Sequence, residues 1–188
     1  MTASALPPVN ALTDDALRAR PLPQPGDDAD KESRGQVLIV AGSREIPGAA
    51  LLAATAALRA GAGKLVVAAP ASVAIALAMA LPEARVIGLE ETAEGGLAQS
   101  GVARVAELAP KLAAIVIGPG TLDEDASAAF VRALLPHLAH CTVVLDAYAM
   151  SALMDGTCLS PNVILTPHAG EMAHLTGRPK EEDRKSVV

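Results

Sequence analysis

The sequence predicts an α/β fold of three layers, a mainly parallel sheet with helices on both faces. Two observations carry that expectation. From about residue 34, short runs rich in Val, Ile and Leu alternate with Ala/Leu-rich runs of helical length, the pattern of parallel strands joined by right-handed crossovers. Gly, Pro and Asp collect just after the apolar runs, where a strand would hand over to a helix.

Taken in order, residues 1–33 are rich in Pro, Asp and Ala, and "RPLPQPGDDADKES" reads as an irregular lead-in that buries little surface. The domain proper runs over 34–188. It opens with the strand "QVLIVAG", the helix "GAALLAATAALRAGAG" and the strand "KLVVAAP". Next comes a segment in which Val73, Ile75, Leu77, Met79 and Leu81 alternate with Ala or Ser; its period of two suits a strand, but the interleaved alanines favour a helix. Then follow the strand "ARVIGLE", a helix around "SGVARVAELAPKL", the strand "AAIVIGPG" and a helix around "EDASAAFVRALLPHL". The strand "TVVLDA", the helical "AYAMSALMDG" and the strand "NVILTP" complete the series.

Composition narrows the function. Hydrophobic residues make up 51 % of the 188 but aromatics only 1 %, so the core must be built from Ala, Leu, Val and Ile, with Phe130 and Tyr148 the only large rings. A net charge of −6 disfavours a phosphate-backbone partner and so a nucleic acid. Cys141 and Cys158 are too few for a disulfide framework, lack metal-ligand spacing and read as small buried hydrophobes. The N-terminal stretch carries Asp14, Asp15, Asp27, Asp28 and Asp30 and no apolar core, unlike a secretory signal. The longest apolar stretch, "LVVAAPASVAIALAMALP", is interrupted by Pro70 and falls below the roughly 20 residues of a membrane span. A soluble cytoplasmic protein without a membrane partner is expected.

In an open parallel sheet, ligands bind beyond the carboxyl ends of the strands. Four such exits stand out. "GSREIPGA" (42–49) either exposes backbone N–H groups to an anion at a helix start or makes a tight turn; Gly48-Ala49-Ala50 would let a flat ligand come close. Gly118-Pro119-Gly120 closes a strand, and Asp123, Glu124 and Asp125 suit the positive end of the next helix. Asp146 either caps the following helix or positions a hydroxyl or hydrated cation at the ligand edge. His168 follows a strand and a direction-fixing Pro167, with Glu171 at a helix start. His137, His140 and His174 read as helix-surface residues, and no Cys/His cluster suits a protein-held zinc. With no GxSxG elbow and no activated cysteine, chemistry in which the protein binds and orients a phosphate donor fits better than nucleophilic catalysis.

Together, "GQVLIVAGS", "PGAALLAATAALRAGAG", "LPEARV", "AIVIGPG", "VVLDAYAMSAL" and "LTPHAGEMAHLTG" resemble the NAD(P)H-hydrate dehydratases of the ribokinase superfamily, over roughly residues 34–180 and in the family's order. The resemblance implies a ribokinase-like fold and a lyase that uses ADP or ATP with magnesium. Such an enzyme phosphorylates the ring hydroxyl of hydrated NADH or NADPH, and loss of phosphate restores the dihydronicotinamide. It implies catalytic roles for His168, Glu171 (through magnesium-bound water) and Asp146, substrate contacts from Gly48, Ala49, Gly118, Gly120 and His168, no protein-only metal site, and a homo-oligomer. Two motifs depart from the family: "GPGTL" stands where it has "GPGLG", and "DAYAM" where it has "DADAL". The family's lysine-glycine strand and "GxGD" anion hole would lie beyond Val188, and with them the nucleotide-site residues. The expectation is therefore a domain lacking its C-terminal part, with an exposed apolar sheet edge and little activity alone. A related small-molecule kinase and a non-catalytic nucleotide-binding module are the alternatives.

Overall fold

The computed structural model describes residues 12–22, 24, 26, 30–156 and 160–180. Within the lead-in it places one short helix, α1 (Asp14–Arg18), where the composition suggests only irregular chain. The reason is local. The Thr13 hydroxyl accepts a hydrogen bond from the Ala16 N–H, Asp14 and Asp15 occupy the first turn and Arg18 the last, so both ends of the helix are electrostatically matched. No residue of this helix is buried.

From residue 36 the alternation of strands and helices is as the sequence implies. The elements are β1 (Gln36–Val40), α2 (Pro47–Arg59), β2 (Lys64–Pro70), α3 (Ala71–Ala80) and β3 (Arg85–Leu89). They continue with α4 (Val102–Ala106), β4 (Leu112–Ile117), α5 (Glu124–Leu134), β5 (Thr142–Leu145), β6 (Val163–Leu165) and α6 (Ala169–Thr176). A 3-10 helix, Ala147–Leu153, links β5 to β6. The six strands form one sheet in the order β3-β2-β1-β4-β5-β6, and every pairing is parallel.

Alternation along the strands divides the core in two. Leu38, Val40, Val66, Ala68, Ile115, Ile117, Val143 and Leu145 face one layer, closed by α4, α5 and the 3-10 helix through Phe130, Val131, Leu134 and Met150. Ile39, Ala41, Leu65, Val67 and Ala69 face the other, closed by α2 and α3 through Ala50, Ala54 and Leu77. Alanine on α2 lets that helix lie close to the sheet, which is how a chain with 1 % aromatics fills its interior.

The ambiguous segment is the helix α3. In a helix, a period of two sends residues four apart to one side and the interleaved pair to the other. Leu77 accordingly is buried and Val73 packs against the second core, while Ile75 and Met79 are 80 % and 81 % exposed.

Strand order reverses direction at β1, whose neighbours β2 and β4 lead away on opposite sides. At such a switch point the crossovers leave the sheet on opposite faces and open a crevice at the carboxyl edge.

Candidate active site

The β1 and β4 exits are tied together at this crevice. Gly42, at φ 84°, donates its N–H to the Pro119 carbonyl at 2.7 Å. Ser43 is fully buried, and its hydroxyl accepts the Ile46 N–H just before Pro47 opens α2, so "GSREIPGA" is a tight turn held by a serine. Gly120, at φ 73°, lies against that turn: a side chain there would place its Cβ 2.5 Å from the Ala49 Cβ and 3.0 Å from the Ile46 carbonyl. Gly118, at φ 120°, meets the next exit, since a Cβ on it would overlap the Asp146 carbonyl. Gly48 has open space above its Cα.

Asp146 starts the 3-10 helix, yet its side chain makes no cap hydrogen bond. Its Oδ1 instead accepts from the Thr166 hydroxyl at 2.7 Å, joining the β5 exit to the β6 exit. Two residues on, His168 is the N-cap of α6. Its Nδ1 accepts from the Gly170 and Glu171 N–H groups at 3.0 and 3.3 Å, and Glu171 Oε2 accepts the His168 N–H at 2.8 Å. This reciprocal capping box satisfies donors that a helix start otherwise leaves open. Because Nδ1 is the acceptor, the neutral ring carries its proton on Nε2, which lies 3.5 Å from Glu171 Oε1. The strand that stops on "TPHAGE" therefore stops on a helix cap whose imidazole edge is left outward.

Beside this cap lies a cleft of about 320 Å³ lined by Thr121, Glu124, Tyr148, Ser151, His168, Glu171 and their neighbours. His168 and Glu171 line it directly. Asp146, Gly118, Gly120 and Ala49 are not among its lining residues: Asp146 directly precedes the lining Ala147, Gly120 directly precedes the lining Thr121, and Ala49 packs against Gly120. Thr121 is buried and donates its hydroxyl to the Gly118 carbonyl at 2.9 Å, so "GPGTL" closes its turn with a side chain.

Three cleft residues escape a reading by local pattern. Glu124, at the start of α5, accepts from the Ser151 hydroxyl at 2.7 Å and lies 3.3 Å from His174 Nε2. These contacts link α6 to α5 and the 3-10 helix, while His174 itself lies exposed on the surface of α6, as the sequence suggests. Tyr148 is the third. His140, outside the cleft, sits in the turn before β5 with its Nε2 2.7 Å from the Ala109 carbonyl, not on a helix.

Charge around the carboxyl edge is unevenly spread. Arg44, from the β1 exit, pairs with Glu91 at 3.0 Å, and Glu91 also accepts the Ser72 N–H at 2.7 Å. The Ser72 hydrogen bond, with Arg44 assisting, holds the Glu91 carboxyl below its ordinary range. No lysine or arginine among the described residues lines the cleft. Among the described residues no three His, Cys, Asp or Glu side chains group as a metal site.

The Carb_kinase family, described as NAD(P)H-hydrate dehydratase, matches residues 37–188, which run from the second residue of β1 through β6 and the cap at His168. The chain belongs to the NAD(P)H-hydrate dehydratase family. It is 50 % identical over 174 residues to an ADP-dependent (S)-NAD(P)H-hydrate dehydratase of Xanthomonas campestris, a match covering 93 % of this chain and 58 % of that one. Among solved structures, the ADP/ATP-dependent NAD(P)H-hydrate dehydratase of Bacillus subtilis, co-crystallised with ATP and Mg2+, superposes with a TM-score of 0.64 at 34 % identity. That match covers 88 % of this chain and 56 % of the other. A ribokinase-like superfamily protein of Enterococcus faecalis superposes at 0.71 with 24 % identity, covering 87 % and 55 %, a likeness of fold. The fold is thus ribokinase-like, and the chain spans a little over half the length of the dehydratases it matches.

Proposed function

We propose that this chain forms the substrate side of a nucleotide-dependent dehydratase acting on hydrated NADH and NADPH. The observation that carries it is the convergence of four strand exits on one rim, with Ala49 against Gly120, Gly118 against Asp146, Asp146 bonded to Thr166, and His168 and Glu171 lining the adjoining cleft. Gly48, with open space above its Cα, leaves room for a flat ring beside the Ala49–Gly120 contact, and the His168 Nε2–H offers a donor to its carboxamide or hydroxyl. Asp146, held by Thr166, keeps the β5 and β6 exits in register beneath the ligand.

The donor is proposed to be ADP or ATP. Magnesium is commonly bound through one or two carboxylates with waters and phosphates, and Glu171, one of the two cleft carboxylates, keeps Oε1 outside the capping box and fits that requirement. Glu171 would hold it through its hydration shell, and the ion would offset charge on the transferred phosphoryl group. The described residues supply no lysine, arginine or glycine-rich cradle for the nucleotide phosphates, so they do not fit that group.

A cytoplasmic homo-oligomer is part of the reading. It is supported by the exposed Leu52, Ile75 and Met79 on the outer surfaces of α2 and α3. A net charge of −6 weighs against nucleic acid, and no described helix is long and apolar enough to cross a membrane.

The test is titration of the purified chain with hydrated NADPH by calorimetry, followed by addition of ADP or ATP with magnesium while dihydronicotinamide absorbance is recorded. Saturable binding, abolished by Gly120→Val, supports the reading. Failure to bind hydrated NADPH, or formation of a stable phosphorylated product from another alcohol, overturns it.

A further inference from the structure

The chain contains two aromatic rings larger than imidazole, and they are used in opposite ways. Phe130 is 1 % exposed and fills the core beneath α5. Tyr148 is 41 % exposed and lines the cleft with His168 and Glu171. In a protein that builds its interior almost without aromatics, the one ring left open to solvent stands at the candidate site.

Its placement is tightly held. Ala147, just before it, has φ 48°, the only non-glycine residue of the described chain in the left-handed region. Such a conformation persists only when its surroundings enforce it, and it turns the chain sharply at the β5 exit. Ala149 and Met150, just after it, are buried in the core, and Ser151 is bonded to Glu124. Tyr148 is therefore an exposed ring on an anchored backbone, a low-entropy platform for a planar ligand.

We propose that Tyr148 is a stacking residue for the nicotinamide half of the substrate, its ring lying against the flat vinylogous carboxamide face of the hydrated or restored ring. The proposal rests on the dehydratase reading above and adds to it the group that grips the ring. His168 shares the cleft, so the same ring would meet a donor at its edge and an aromatic surface at its face. A stack of this kind is insensitive to the phenol hydroxyl and sensitive to loss of the ring.

The chain has one tyrosine and no tryptophan, so tyrosine labelling reports on Tyr148 alone. NADPH is the probe. Calorimetry would compare the unaltered chain with Tyr148→Phe and Tyr148→Leu, and nuclear Overhauser spectra of tyrosine-labelled protein would show which NADPH protons lie against the ring. Expected are contacts to the dihydronicotinamide protons, affinity within about twofold for Tyr148→Phe, and a loss of roughly tenfold or more for Tyr148→Leu. Thermal melting checks that both variants fold. Equal affinity in a folded Tyr148→Leu, or contacts to adenine protons only, overturns the stacking role and leaves the dehydratase reading standing. No NADPH binding by the unaltered chain overturns both.

Discussion

The Asp146 carbonyl occupies the space that any side chain on Gly118 would need. Through this contact the β4 exit is pressed against the β5 exit, and the rim of the cleft owes its shape to the absence of a single Cβ.

Gly118→Ala should therefore be costly. The new methyl meets backbone at φ 120°, with the Ala149 Cβ at 2.8 Å, so neither neighbour can rotate away. The expected loss is roughly 2–4 kcal/mol, a fall in Tm of roughly 4–16 °C. An unchanged melting temperature by circular dichroism would show that the two exits are not in contact.

At His168, capping and ligand contact can be separated. Asparagine is a good N-cap, whereas alanine leaves the Gly170 and Glu171 N–H groups unpaired. His168→Ala should cost about 1 kcal/mol, while His168→Asn should melt close to the unaltered chain. Both should weaken hydrated NADPH binding, because each removes the Nε2–H donor. Full affinity in His168→Asn would confine the histidine to helix capping.

Glu91 gives a pH signature. Its carboxyl is held below the ordinary value of 4.5 by the Ser72 N–H and then Arg44, so the folded state favours the ionised form. That stability is present above the unfolded value and lost as pH falls through the folded one. Urea denaturation should find Glu91→Gln less stable at neutral pH, with the difference shrinking below about pH 4.5. A difference independent of pH would mean the ionised carboxylate contributes nothing.

Ile75 and Met79 stand one helical turn apart on the outer surface of α3. If they form part of a contact between copies, the double substitution Ile75→Glu, Met79→Glu should lower the mass seen by light scattering without lowering Tm by more than a few degrees. An unchanged mass would place any such contact elsewhere. At the sheet's end, Ile164 is 53 % exposed on the last strand of the order, and Ile164→Lys should reduce aggregation on warming.

Local pattern was enough for the layers, the parallel sheet and the positions of the strand exits, because strand and helix periodicities are written within a few neighbouring residues. It resolved even α3, whose alternation becomes intelligible once two faces of one helix are considered. It also marked Cys141, which is 3 % exposed and whose thiol burial pushes up; Cys158 lies outside the described residues. It left two roles open at Asp146, whose position before a helix suggests a cap as readily as a ligand edge. The side chain turns instead to Thr166, twenty residues on.

The amino-acid order by itself determined which residues would stand at strand exits, because those positions follow from periodicity and turn chemistry. Only the tertiary structure decided which exits touch: Gly118 with Asp146, Gly120 with Ala49, and Glu124 with Ser151 and His174, and that Tyr148 and His168 line one cleft. The physical reason is that crossover helices of different lengths bring distant segments into register only when both core layers close, and no local preference encodes where a turn will find its partner.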